Sequence, residues 1–69
     1  MNIKQALPND VWVWTSQENE VWLVLSKNFE SLKLLCLDII TAEGAIKPGS
    51  IWIMPLTGPD IFLRGWEKI

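Results

Sequence analysis

The sequence predicts an all-β fold, a small five-stranded antiparallel barrel formed by one domain over residues 1–69. Three segments dense in β-branched and aromatic residues support this prediction, at residues 11–14, 21–25 and 51–54. Turn-forming residues separate the predicted strands at intervals of roughly 8–12 residues, which is typical of small barrels and sandwiches. Closure into a barrel would also remove the exposed sheet edges that promote aggregation.

The first hairpin is the most distinctive part of the chain, with predicted strands at residues 11–15 and 21–26. Tryptophans alternate with valines along its first strand, so both faces of that strand are apolar. A sheet that is apolar on both faces must have both faces covered, and 69 residues provide little material for that. We therefore expect a protein partner or a homo-oligomer.

The other predicted elements are short and lie between turns that contain Pro, Gly, Asn or Asp. In chain order they are an edge strand or disordered stretch at 1–7, turns at 8–10 and 42–44, the start of a strand at 45–46, a turn at 47–50, strands at 51–54 and 61–64 with a turn at 55–60 between them, and closing residues 65–69.

The segment 29–42 is compatible with two structures. A strand over residues 32–40 accommodates apolar side chains on both of its faces. A helix capped by Asn28 is the alternative and would make the fold α+β. That helix would place Leu34 and Leu37 on the face opposite its apolar stripe, so the strand is the preferred prediction.

Residues 9–13, followed by residues 21–26, resemble the first two strands of SH3-like barrels of the MazF/PemK toxin type. The resemblance covers about a third of the chain and implies an SH3-like barrel. Toxins of this type are ribonucleases that carry an arginine between these two strands. Residues 15–20 contain no basic residue here, so the resemblance implies the fold and at most a degenerate ribonuclease.

Net charge argues against nucleic acid as the partner. The formal net charge is −2 and the isoelectric point is about 4.8. The six basic residues are scattered, with no two adjacent, whereas neutralisation of phosphates normally requires a basic patch.

Composition also predicts where the protein resides. The first eight residues lack the apolar core of a signal peptide, and no apolar run approaches the roughly 20 residues that span a bilayer. The single cysteine cannot form an internal disulfide, which favours a reducing cytoplasm. Short, Trp-rich, single-domain chains are typical of bacteriophage accessory proteins, so host cytoplasm is our hypothesis for a phage-encoded chain.

The residue types present argue against catalysis, cofactors and metals. The chain has no histidine, which removes the commonest general base and metal ligand. Glu18 and Glu20 share a loop, but their spacing fits neither a calcium loop nor an acid–base pair. Cys36 lies in an apolar run and is predicted to be buried and unreactive. We therefore expect a protein without enzymatic activity.

Five tryptophan rings are difficult to enclose in a barrel of this size, so one or two should reach the surface, where Trp is enriched at binding sites. Trp12 and Trp52 lie inside strand segments and are predicted core residues. The predicted partner-binding residues, which lie near the first loop or near the C-terminus, are Trp14, Trp22, Arg64 and Trp66.

The preferred functional prediction is a protein–protein interaction module that self-associates or caps a partner through an apolar sheet face. If the chain is phage-encoded, the partner would be a host protein that it inhibits. One alternative is a small barrel that binds nucleic acid on exposed tryptophans. The other is a degenerate MazF-like ribonuclease.

Overall fold

The computed structural model describes residues 2–16, 19–38 and 48–69, in which five antiparallel strands form one sheet. The strands are β1 (Val11–Trp14), β2 (Glu20–Lys27), β3 (Ser31–Asp38), β4 (Ile51–Pro55) and β5 (Trp66–Lys68). Their order in the sheet is β4-β3-β2-β1-β5, so β4 and β5 are the edge strands. The all-β prediction is confirmed.

The first four strands lie close to their predicted positions. Residues 31–38 are a strand, which confirms the preferred prediction for this segment and shows that the helix alternative is wrong there. The turn at residues 8–10 is also confirmed, with Asn9 in a left-handed conformation at φ 75°. The predictions for 39–40, 42–44 and 45–46 fall outside the described residues.

The predicted last strand, at residues 61–64, is wrong. The chain forms a 3-10 turn over Asp60–Phe62 and then enters β5 five residues later than the prediction placed the strand. In this segment a backbone carbonyl accepts a hydrogen bond from a side chain and not from a neighbouring strand. The indole Nε1 of Trp66 donates to the carbonyl of Phe62 at 2.8 Å. Gly65, at φ 80°, then redirects the chain into β5.

The N-terminal residues form a second 3-10 turn, Ile3–Gln5, where an edge strand or disorder was predicted. Asn2 caps this turn, because its side-chain oxygen accepts a hydrogen bond from the backbone N–H of Lys4 at 2.9 Å. The turn buries Ile3 and, just after it, Ala6 against the sheet.

One face of the sheet forms the core. The strand register places Trp12, Trp22 and Cys36 side by side on this inner face of β1, β2 and β3. The buried apolar residues are Ile3, Ala6, Trp12, Trp14, Trp22, Val24, Leu32, Leu34, Cys36, Met54, Leu56 and Trp66. The chain thus has a continuous core on one side of a single sheet.

The sheet curls around this core. The rings of Trp14 on β1 and Trp52 on β4 are stacked with their centroids 5.2 Å apart. Three strand spacings separate β1 from β4, which corresponds to about 14 Å in a flat sheet. Strong curvature is therefore required for the two rings to meet.

Within residues 2–16, 19–38 and 48–69, no helix is long and apolar enough to cross a bilayer.

Candidate functional site

The structure does not place the predicted partner-binding tryptophans at the surface. Trp14, Trp22 and Trp66 are all buried, so the prediction that these rings are exposed is wrong. Trp12 is buried as predicted, whereas Trp52, the other predicted core residue, is only half-buried. The most accessible ring of the five is therefore one that the sequence assigned to the core.

Curvature explains why the rings are enclosed. Trp14 stacks on Trp66 with centroids 5.1 Å apart and planes 2° apart, while Trp52 packs edge-on against Phe62 at 5.9 Å. The polar edges of the rings are also satisfied: the indole Nε1 of Trp14 donates to the carbonyl of Arg64 at 2.8 Å. Stacked and hydrogen-bonded rings of this kind stabilise the fold.

Arg64 contributes its backbone to this aromatic cluster, but its guanidinium lies elsewhere. The side chain is exposed and forms an ion pair with Asp60, four residues earlier, which is also exposed. Exposed pairs of this type contribute little to stability. The structure therefore does not bring the charge of Arg64 together with the predicted tryptophans.

The outer face of the sheet, opposite the core, is largely apolar, as the sequence suggested, although Lys33 and Glu67 also lie on it. One residue from each of four neighbouring strands lies in register on this face, each opposite the next. These residues, which we call the outer row, are Val11, Leu23, Leu35 and Ile51. Exposure is greatest at the β4 end of the outer row, where Ile51 is 52% exposed and Ile53, two residues along, is 62% exposed.

The two edges of the sheet differ in character. β4 comprises five uncharged residues, with the exposed Ile51 and Ile53 among them. β5 has three residues, and two of them are the charged Glu67 and Lys68. Short, charged edges resist association, whereas longer apolar edges favour it. The outer row and the β4 edge together form the candidate site.

Cys36 is buried, as predicted. Burial raises the pKa of its thiol, and the nearby carboxylate of Glu20 raises it further. Glu20 is itself buried and accepts a hydrogen bond from the indole Nε1 of Trp22 at 3.2 Å. A thiol with a raised pKa has little thiolate at neutral pH, so this cluster is poorly suited to nucleophilic chemistry.

Asp10 joins the turn before β1 to the last strand. Its carboxylate accepts a hydrogen bond from the backbone N–H of Leu7 at 2.9 Å and lies 3.6 Å from Nζ of Lys68. The Leu7 hydrogen bond is the main cause of the lowered pKa of Asp10, and the charge of Lys68 adds to the effect.

The indole N–H of Trp12 also helps to lower the pKa of Asp10, although it does not meet the geometry of a hydrogen bond. Within the described part of the chain, Trp12 Nε1 is the one buried side-chain polar atom without a hydrogen-bond partner. Among the same residues, no group of three His, Cys, Asp or Glu side chains is arranged to hold a metal ion.

Comparison of the chain with protein-family models, curated proteins and solved structures finds no match. The candidate site therefore rests on geometry alone. The sequence indicated the outer row, because several predicted strands carry apolar residues on both of their faces. The β4 edge could not be recognised in the same way, because which strand lies at an edge depends on the order of strands in the sheet.

Proposed function

We propose that the protein is a protein-docking module without enzymatic activity, and that it binds its partner through the outer row and the β4 edge. The observation that carries this proposal is the alignment of Val11, Leu23, Leu35 and Ile51 across four strands on the face opposite the core. Ile51 is exposed, and the other three residues are half-buried. Large contiguous apolar patches on a protein surface often mark interaction sites.

The curled sheet of five antiparallel strands supports our further proposal that the fold is an SH3-like barrel. SH3-type barrels dock extended peptides on exposed aromatic residues. Here four of the five tryptophans are buried, so the apolar side chains of the outer row take the place of an aromatic groove.

The nucleic-acid alternative has less support. Bases stack on exposed rings beside a positively charged groove. The described rings are mostly buried, and the chain carries a net charge of −2. A protein surface that complements an apolar sheet face agrees better with both observations.

A photo-crosslinking amino acid placed at single positions in cells tests this proposal. We expect Ile51, in the outer row, to give covalent protein adducts when replaced by the crosslinker. Ile61 is a matched control, because it is 66% exposed but lies on the 3-10 turn before β5. Equal adducts at both positions, or none at Ile51, would contradict the proposal. The mass of each adduct also tells whether the captured protein is a second copy of the chain or a different protein.

A further inference from the structure

We infer that the partner of the β4 edge is a second copy of this chain, joined by antiparallel pairing of β4 with β4 about a two-fold axis at Trp52. This inference rests on the proposed function, because it names the partner that the same surface binds. It further states which residues face each other, which the proposed function leaves open.

The ladder between β3 and β4 determines which backbone groups of β4 point outward. The N–H of Cys36 donates to the carbonyl of Ser50 at 2.9 Å, and the N–H of Leu56 donates to the carbonyl of Glu30 at 2.7 Å. Hydrogen-bonded and non-hydrogen-bonded pairs alternate in antiparallel sheets. Trp52 lies two residues after Ser50 and four before Leu56, so it occupies a hydrogen-bonded position. Its backbone N–H and C=O groups therefore point towards β3.

Ile51 and Ile53 occupy the alternate positions, opposite Leu35 and Lys33 in non-hydrogen-bonded pairs. Their N–H and C=O groups consequently point away from β3, towards the free edge. Among residues 2–16, 19–38 and 48–69, no strand pairs with this side of β4. Each of these two residues thus presents a backbone donor, a backbone acceptor and an exposed apolar side chain.

A two-fold axis at Trp52 places Ile51 opposite Ile53 of the second copy, and Ile53 opposite Ile51. Each pair exchanges two hydrogen bonds, so all four outward donors and all four outward acceptors at these positions are satisfied. The ladder between the two β4 strands ends beyond these residues. Pro55 has no N–H, and the N–H of Gly49 already donates to the carbonyl of Cys36. The apolar side chains of the paired residues then cover each other on the outer face.

An axis at Ile53 is the competing arrangement. It would place Ile51 opposite Pro55 of the second copy, and the carbonyl of Ile51 would face a ring that has no donor. An unsatisfied carbonyl in an interface destabilises that arrangement. The hydrogen-bonding pattern of β4 therefore favours the axis at Trp52.

Self-pairing of β4 also agrees with the difference between the uncharged β4 edge and the short, charged β5 edge. Two identical β4 edges satisfy each other under two-fold symmetry without a second kind of surface. The pairing joins the outer rows of both copies, with Ile51 and Ile53 at the centre. The pairing uses one strand of about 17 Å from each copy, whereas a stable interface buries roughly 800 Å² per partner. We therefore expect a reversible dimer whose population rises with concentration.

Cysteine crosslinking tests the register. Ile51→Cys and Ile53→Cys proteins are mixed and oxidised, and the wild type, whose single cysteine is buried, is the control. Opposed residues have Cα atoms about 5.5 Å apart, within reach of a disulfide, whereas like residues would be about 9 Å apart. The mixture should form a crosslinked dimer, and each variant alone should not. Crosslinking of Ile53→Cys with itself would overturn the inference.

Light scattering tests the edge itself. Ile53→Pro removes an outward N–H while leaving the β3 ladder unchanged, and we expect it to weaken the dimer at least about tenfold. Lys68→Pro is the matched control at the other edge, since the N–H of Ile69 donates to Val11 and that of Lys68 therefore points outward. It should dimerise like the wild type, and an equal loss on Lys68→Pro would overturn the inference.

The two proposals fail in distinguishable ways. If the wild type stays at the monomer mass of 7.9 kDa up to about 1 mM, self-pairing is overturned. Capture of a different protein at Ile51 would then leave the proposed function standing. A monomer without adducts at Ile51 would overturn both.

Discussion

The indole ring of Trp52 lies 6.5 Å from that of Trp66, although β4 and β5 are the opposite edges of the sheet. Four strand spacings would separate these strands by about 19 Å in a flat sheet. The curl therefore brings the inner faces of the two edge strands together, and the aromatic rings fill the space between them. No ladder joins β4 to β5 in the described residues.

Loss of a ring from this cluster should destabilise the fold strongly. We expect Trp66→Ala to lower the free energy of unfolding by about 3–5 kcal/mol, because it removes stacking, burial and the hydrogen bond to Phe62. Phe29→Ala is the control, since Phe29 is 87% exposed, and it should change stability by less than about 0.5 kcal/mol. Urea denaturation measures both. Equal effects of the two substitutions would show that Trp66 is not a core residue.

Among the glycines of the described chain, Gly65 should tolerate substitution least. A methyl group at Gly65 would lie 1.9 Å from Oγ of Ser16, and the residue has φ 80°. Gly49 has a similar φ of 91°, but a Cβ there would meet no atom of the described residues within 4 Å. We expect Gly49→Ala to cost about 1–2 kcal/mol of backbone strain and Gly65→Ala to cost clearly more. Thermal melts of the two variants compare them directly, and equal losses would contradict the close contact with Ser16.

Local patterns were sufficient to predict most of the strands. The two-sided apolarity of residues 32–38 favoured a strand over a helix, because a helix would have exposed Leu34, and this residue is in fact fully buried. The same logic failed for residues 61–64, where an apolar run directly after Pro59 and Asp60 forms a 3-10 turn. Periodicity over three or four residues is too short to distinguish a strand from such a turn.

The positions of the tryptophans could not be predicted in this way. Trp14 lies next to a loop in the sequence, where packing is expected to be thin. Its neighbours in space are instead Trp52 and Trp66, which lie 38 and 52 residues later in the chain. These contacts depend on the curvature of the sheet and on the strand order, which are properties of the whole chain. Rings that were predicted to bind a partner therefore lie in the core.

Cys36 should react slowly in the native protein. Burial and the neighbouring Glu20 raise the pKa of its thiol, which reduces both access and the fraction of thiolate. We expect Ellman's reagent to label it slowly in native buffer and quickly in denaturant. The variant Leu37→Cys is a matched control, because Leu37 is the adjacent residue and is exposed, so this variant should show one fast and one slow thiol. Two fast thiols would show that the inner face of β3 is accessible.

Asp10 should make stability depend on pH in the acid range. Its pKa is below the ordinary value of 3.8 in the folded protein, chiefly because of the Leu7 hydrogen bond. A lowered folded-state pKa means that the ionised group stabilises the fold above the unfolded-state pKa, and that this stabilisation is lost as pH falls through the folded-state pKa.

We expect Asp10→Asn to melt at a lower temperature than the wild type at pH 7, because the amide can still accept a hydrogen bond from Leu7 but cannot attract Lys68. The difference in melting temperature should shrink steadily below pH 3.8 as the wild-type carboxylate is protonated. Added salt at pH 7 should reduce the part that depends on Lys68, since that pair is partly exposed. A difference that stays constant from pH 7 to below the folded-state pKa would contradict the role assigned to the Asp10 charge.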